Sequence, residues 1–293
     1  MKIASLLHDG ARRTGIVMGT QIAPVPFTLA EMVEAGLSAA ADWLAAARDA
    51  SKRIPLAEAR LLPPVPHPER NVFCAGWNYW DHFEEGRPLR GGIEAPRPEH
   101  PTFFTKAPGT LIGPHDPIAV DPSLSDTWDY EAELALVLTP GGRSISRAAA
   151  PAHVFGYLLA NDVSVRDVQR RHGGQWFKGK SLDGTLPLGP FIVTADAFDP
   201  ADVQLECLVN GETVQRASTA LMAFPVPELI EALSLGLTLR PGDILLTGTP
   251  AGVGQSRTPP LFLHPGDRVV VRAAGLGALD NTVIATDLAA PLG

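Results

Sequence analysis

The sequence predicts an α+β fold that is predominantly β. Short apolar runs bounded by turn residues recur through the second half of the chain, as strands do. Turn formers are abundant, with 28 Gly and 28 Pro among 293 residues, and aromatic residues are few. Helical patterns are short and scattered and do not alternate regularly with the strands. A mixed β-roll or barrel-like body is therefore expected, not a doubly wound sheet.

The first ~20 residues alternate weakly and read as a hairpin turning at Asp9-Gly10. Thr28 followed by Glu31 is a capping box and opens a helical stretch. Met32, Ala35, Ala39, Trp43 and Ala47 form its expected buried stripe, divided at Gly36. From Pro55 to Arg70 a proline-rich run reads as an extended connector. It places a boundary between a small N-terminal α/β domain, residues 1–62, and a large domain, residues 63–293. Asn71–Gly76 reads as a strand and Asn78–Glu85 as a short polar helix. Gly86–Pro101 is rich in Gly, Pro and charge without periodicity and is expected to form a mobile loop. Strands follow at 129–138, 155–160, 203–209, 244–247 and 268–272, with helices near 164–171 and 227–235. Asn210-Gly211 between apolar runs marks a tight hairpin.

Composition excludes several classes of function. The 24 basic and 32 acidic residues give a net charge of −8 without a basic cluster, so no nucleic-acid partner is expected. No apolar run approaches the ~20 residues that cross a bilayer. The apolar run of Met1–His8 is too short for a secretory signal. Cys74 and Cys207 stand far apart in apolar segments and are expected to be free thiols, as in a reducing cytoplasm.

The chemistry concentrates around Asp129-Tyr130-Glu131-Ala132-Glu133-Leu134. Residues at i and i+2 of a strand share a face, so Glu131 and Glu133 stand side by side. The strand is apolar on both faces and hence buried, where two adjacent carboxylates demand a compensating positive charge. A divalent cation supplies it; a wet edge strand is the alternative. Asp162 follows another apolar strand and precedes a helix start, a place for either a functional carboxylate or a helix cap. Three oxygen anions without a Cys/His cluster suit a hard cation such as Mg²⁺ or Mn²⁺, with Ca²⁺ also possible. Arg166 and Gln169 lie three apart on one helical face, suited to a carboxylate or carbonyl oxygen, or to a solvated surface. His82 and Glu85 share the same spacing, which suits a carboxylate-oriented base or a surface ion pair. Glu84 is the other candidate carboxylate, although i+2 points elsewhere on a helix. Lys178 and Lys180 are not distinguished on pattern alone. The run Thr247–Gly254 lacks the Lys-Ser/Thr of a phosphate loop, but its glycines can bring backbone N–H groups to an anion. No Gly-x-Ser-x-Gly elbow is present.

Taken together, the motifs resemble the fumarylacetoacetate hydrolase family. They run in order: Gly76-Trp77-Asn78-Tyr79 with Asp81-His82, Phe104-Thr105-Lys106, Asp129–Leu134, Gly156-Tyr157, Asn161–Gln169, Lys180-Ser181, Pro187–Pro190, Val209–Gly211, Pro241–Asp243, Thr247–Gly254 and Gly266-Asp267. The resemblance spans residues 70–285 and implies a fumarylacetoacetase C-terminal-like mixed roll, assembled as a homodimer. It implies a metal on Glu131, Glu133 and Asp162, a His82–Glu85 catalytic dyad on a lid of about residues 78–101, and Lys180 as the active-site cation. Arg166, Gln169 and Thr249 would touch a small anionic oxo acid. The expected reaction is hydrolysis of a C–C bond in a 2,4-dioxo acid through a metal-held enolate. The alternative uses the same site for decarboxylation of an oxaloacetate-like acid or isomerisation of a 2-hydroxydienedioate. A non-catalytic carboxylate binder is a third reading. Trp77 and Trp80 stand where relatives often carry smaller or more polar residues, which bears on substrate size.

Overall fold

The computed structural model describes residues 1–65, 70–88 and 96–291. A large mixed sheet runs through it. In spatial order its central strands are Leu186–Thr194, Val154–Asn161, Ala132–Leu138, Ile244–Leu246, Val72–Gly76 and Thr102–Lys106. Most neighbours are antiparallel, but Ile244–Leu246 pairs with Val72–Gly76 in parallel. A second sheet orders Glu212–Ser218, Gln204–Val209, Arg268–Ala273, Gly277–Ala285 and Ile118–Val120. The Asn210-Gly211 hairpin turn has both central residues at positive φ, 52° and 87°, which a tight turn between right-twisted strands requires.

Ala132–Leu138 lies at the centre, with every residue buried. Leu134, Leu136 and Leu138 pack into the core shared with Leu205, Cys207 and Val271 of the second sheet. Ala135 and Val137 face the other core, with Met32, Trp43 and Phe155. Period-2 alternation thus separates two apolar layers and leaves the strand no wet face. Fully burying each such Leu contributes about 1.5–3 kcal/mol, which anchors the charged start of the strand deep inside the protein.

The N-terminal hairpin turns where expected, with Asp9 and Gly10 at positive φ. Its first strand, Lys2–His8, pairs with Leu186–Thr194 and joins the hairpin to the large sheet. Thr28 and Glu31 form the capping box of helix Leu29–Ala35; Gly36, at φ +66°, ends it, and helix Ala40–Asp49 follows. Several local expectations need correction. The buried stripe uses Leu29, Met32, Val33, Trp43 and Ala47, whereas Ala35 is exposed and Ala39 only half-buried. The presumed connector carries a strand, Arg60–Leu62, paired with Lys2–His8; residues 66–69 of that run lie outside the described residues. The strand expected from Asp129 is interrupted at Tyr130-Glu131, between Trp128–Asp129 and Ala132–Leu138. Asp162 does not cap the next helix: the short strand Ser164–Val165 follows it, and helix Arg166–Arg171 starts without a side-chain cap. No helix among the described residues is long and apolar enough to cross a membrane.

Candidate active site

The interruption at Tyr130-Glu131 builds the site. Glu131 N–H donates to Asn161 Oδ1 at 3.0 Å, and Asp162 N–H donates to the Glu131 carbonyl at 2.8 Å. Ala132 pairs with Asn161 across the antiparallel ladder, so Glu131 and Asp162 meet at neighbouring strand ends. Glu133 stands two residues on. One oxygen from each of Glu131, Glu133 and Asp162 lies within 4.8 Å of the other two, and all three side chains are buried.

Cations and backbone donors surround this trio. Lys180 Nζ lies 2.7 Å from both Glu131 Oε2 and Asp162 Oδ2. Lys106 Nζ lies 2.7 Å from Asp162 Oδ1, and Arg166 Nη1 the same distance from Glu131 Oε1. Arg166 Nε donates to Asp129 Oδ2 at 2.8 Å, and Nη1 reaches Gln169 Oε1 at 3.2 Å. Among the described residues, Glu133 has no cation in contact; its Oε2 accepts from Gly248 N–H at 2.6 Å. The acidities divide accordingly. Burial alone would raise Glu131, but Lys180 and Arg166 pull it down to about 2. Burial pushes Glu133 well above the usual carboxylate range, and the Asp162 and Glu131 anions add to that push.

The charges test whether a metal fits. Asp129, Glu131, Glu133 and Asp162 bring four carboxylates, and Lys106, Arg166 and Lys180 bring three cations. One buried negative charge remains in excess, on the carboxylate that faces two others. Hard oxygen ligands with surplus negative charge suit a divalent cation. The three residues fit it.

His82 and Glu85 occupy helix Trp80–Glu85, with His82 Nδ1 2.7 Å from Glu85 Oε1. Glu85 Oε2 accepts from Gly252 N–H at 2.8 Å. Glu84 instead meets Arg87 and Arg97, so Glu85 is the partner, as helical spacing requires. The glycine turn after Ile244–Leu246 does hold anions, and they are the protein's own. Gly248 N–H holds Glu133, Gly252 N–H holds Glu85, and Gly254 N–H donates to Asp129 Oδ1 at 2.7 Å. Asn78 ties the dyad helix to this turn, donating to Thr247 O at 2.8 Å and Phe224 O at 3.0 Å.

His82, Glu131, Arg166, Gln169, Lys180 and Thr249 line one small cavity of about 70 Å³. Thr249 Oγ1 also donates to Ala132 O and accepts from Gln215 Nε2, so it helps fix the strand bearing Glu133. Arg166 is largely spent on Asp129, Glu131 and Gln169, but its buried Nη2 has no hydrogen-bond partner. Trp77, at φ +54°, packs edge-on against Trp176 with ring centroids 4.9 Å apart. A side chain at Gly76 would come within 2.4 Å of the Trp176 ring, so that wall requires glycine there. Lys178 is exposed and Lys180 only 2% exposed, which separates two lysines that pattern alone does not.

Lys106, Asp129, Asn161 and Trp176 were not foreseen as parts of the site. A lysine closing the strand Thr102–Lys106 next to two phenylalanines is the available signal for the first. Asp129 adjoins the acidic pair. Nothing local marks Asn161 or Trp176, whose positions depend on strand register and on the Gly76 contact.

Residues 71–284 match the family profile described as fumarylacetoacetate (FAA) hydrolase C-terminal. The chain belongs to the fumarylacetoacetate hydrolase family. Within it, the chain is 44% identical over 229 residues to oxaloacetate tautomerase YisK of Bacillus subtilis (strain 168), covering 78% of this chain and 74% of that protein. A solved fumarylacetoacetate hydrolase from psychrophilic Exiguobacterium antarcticum superposes with a TM-score of 0.85 at 40% identity, covering 98% of this chain and 100% of that one. The 2-hydroxyhepta-2,4-diene-1,7-dioate isomerase of Mycobacterium marinum superposes with a TM-score of 0.76 at 30% identity, covering 98% and 99%. The family's fold and its chemistry on small oxo acids thus agree with the motif order, while the named reactions include tautomerisation, hydrolysis and isomerisation.

Proposed function

We propose that this protein is an oxaloacetate-type tautomerase, interconverting the keto and enol forms of a small 2-oxo diacid. The carrying observation is the His82–Glu85 dyad facing the same cramped cavity as Glu131, Arg166 and Lys180. At about 70 Å³ that cavity is far below the ~300–1,000 Å³ usual for drug-sized ligands, which favours a four-carbon acid over a long acylpyruvate. Of the readings made from the sequence, the alternative of enolate chemistry without a hydrolytic water is therefore the better supported. The similarity to a named oxaloacetate tautomerase supports it too.

Glu85 fixes Nδ1 of His82 and leaves Nε2 to exchange a proton with C3 of the oxo acid. As that proton leaves, the C–H electron pair becomes the C2–C3 double bond and charge moves to the 2-oxo oxygen. The Lys180 ammonium stands beside the carboxylates to stabilise this oxyanion. Transfer of the proton now on His82 Nε2 to that oxygen, directly or through water, gives the enol and regenerates the neutral imidazole, and the reverse sequence restores the ketone. Arg166 Nη2, buried and otherwise unpartnered, can donate to a substrate carboxylate. Trp77 and Trp176 exclude water from the cavity wall. When bound, Mg²⁺ or Mn²⁺ on Glu131, Glu133 and Asp162 would supply Lewis-acid polarisation of the oxo acid.

The same reading includes a homodimer and a cytoplasmic setting, the latter supported by two buried free thiols. It also includes a small unit of residues 1–62 beside a catalytic unit of residues 63–293. Residues 78–101 would be its lid, of which 89–95 lie outside the described residues. Incubation with oxaloacetate, an acylpyruvate and a 2-hydroxydienedioate, each followed by NMR, tests the assignment. Accelerated keto–enol exchange of oxaloacetate without carbon loss is expected. Faster C–C cleavage of the acylpyruvate would return the reaction to hydrolysis, and pyruvate with CO₂ would make it a decarboxylase.

A further inference from the structure

A second cavity, of about 650 Å³, shares none of the active-site lining. It opens between the N-terminal strands, helix Leu29–Ala35 and the segment Pro241–Asp243. The strand Ile244–Leu246 separates that segment from the glycine turn of the active site. Its volume is within the ~300–1,000 Å³ usual for drug-sized ligands. The strands Lys2–His8, Ala11–Met18 and Gln21–Val25 form one wall, whose chemistry changes along their length. Ile3, Ile16 and Ala23 stand opposite one another and are buried with Met32 and Trp43. Two residues on, Ser5, Thr14 and Val25 make the next row of the same face, and Arg12 stands two residues beyond Thr14. Ser5 and Thr14 are only 2% and 6% exposed, yet among the described residues neither hydroxyl has a hydrogen-bond partner. Both line the cavity.

Arg12 has one long hydrogen bond, from Nη1 to Pro63 O at 3.5 Å. Partial burial lowers its basicity, and no carboxylate offsets that loss. Phe27, Leu29 and Val33 supply apolar lining. Asp243 is already bonded by Arg70 and by the Arg240 N–H; Arg13, Glu34 and Arg240 are the other charged groups there. We infer that this cavity binds an amphipathic monocarboxylate, its head held by Arg12, Ser5 and Thr14 and its hydrocarbon body by Phe27, Leu29 and Val33. A guanidinium and two hydroxyls are donors for the two oxygens of one carboxylate. A neutral apolar ligand would leave those donors unpaired, and a small inorganic anion would leave the apolar lining wet. The site is independent of the reaction proposed above.

Calorimetric titration of the full chain with sodium octanoate, 1-octanol and sodium acetate tests it. One octanoate is expected per chain, with octanol and acetate each at least about tenfold weaker. Arg12→Gln should bind octanoate about tenfold more weakly, as loss of a charge-assisted hydrogen bond does, and leave octanol binding unchanged. Thr14→Val, which keeps the shape and removes the hydroxyl, should also weaken octanoate. Circular dichroism establishes that both variants are folded. Saturating oxaloacetate with Mg²⁺ should leave octanoate affinity unchanged. Absence of saturable octanoate binding overturns the inference whether or not the variants fold, as does octanol binding equally well. An unchanged affinity in folded Arg12→Gln overturns it too, and displacement by oxaloacetate would move the octanoate to the active site. None of these outcomes bears on the tautomerase assignment, which is read from oxaloacetate exchange alone.

Discussion

Glu133 carries the strain of the site. Its neighbours Glu131 and Asp162 have lysine or arginine partners; it has a backbone amide. In the metal-free protein, a carboxyl whose native pKa is raised binds more protons folded than unfolded. Its contribution to stability is then present at low pH and lost as pH rises through the raised value. Glu131, held near 2 against an ordinary 4.5, behaves oppositely: its contribution is present above 4.5 and lost only as pH falls toward 2. Glu133→Gln should accordingly stabilise the metal-free protein at pH 8, by roughly 1 kcal/mol or more, and abolish metal binding. Thermal melts with and without Mg²⁺ read both effects; a variant that still binds Mg²⁺ with wild-type affinity would remove Glu133 from the ligand set. His82→Ala, by contrast, should leave metal affinity intact while slowing proton transfer by about 10²–10⁴-fold, the usual worth of a positioned general base. An unchanged rate would remove the dyad from the chemistry.

The glycine turn between Thr247 and Gly254 organises three carboxylates at once, which makes it the most consequential short element. Gly252 sits at φ +105°, and a side chain there would come within 2.3 Å of Val214 O. Gly252→Ala should therefore cost about 1–3 kcal/mol from backbone strain alone. Displacement of the Gly252 N–H from Glu85 should also reduce activity more than it reduces metal affinity. Equal loss of both would show that the turn acts only through general stability. The capacity of this turn to hold an anion was legible in its glycines. Which anions it holds was not, because Glu85 comes from the helix Trp80–Glu85 and Asp129 and Glu133 from the distant stretch 129–133, and their meeting with the turn depends on how the sheet strands align. The helix spacings were more informative: His82 with Glu85, and Arg166 with Gln169, meet as i, i+3 neighbours should.

At the scale of the whole molecule, the apolar alternation of Leu134–Leu138 revealed a strand buried on both faces, and the acidic pair at its start marked the site. The pairing of Lys2–His8 with Leu186–Thr194 was invisible, since nothing local encodes a partner so distant in sequence. The same is true of Lys106, whose strand must register against Val72–Gly76 before its ammonium reaches Asp162. A cation joining these strand ends should stabilise the whole fold. At a concentration of 100 times its dissociation constant it contributes about 2.7 kcal/mol, a rise in Tm of about 5 °C for a chain of this size. EDTA should reverse it, and a melting temperature indifferent to both would argue against a metal centre. The central claim, that His82 moves a proton at C3 of an oxo acid held beside Glu131 and Lys180, is tested most directly by NMR of oxaloacetate in D₂O. With Mg²⁺ present, the wild-type chain should exchange the C3 protons for deuterium far faster than the buffer does, and His82→Ala should not. Exchange no faster than in buffer, or equally fast in the variant, would contradict it.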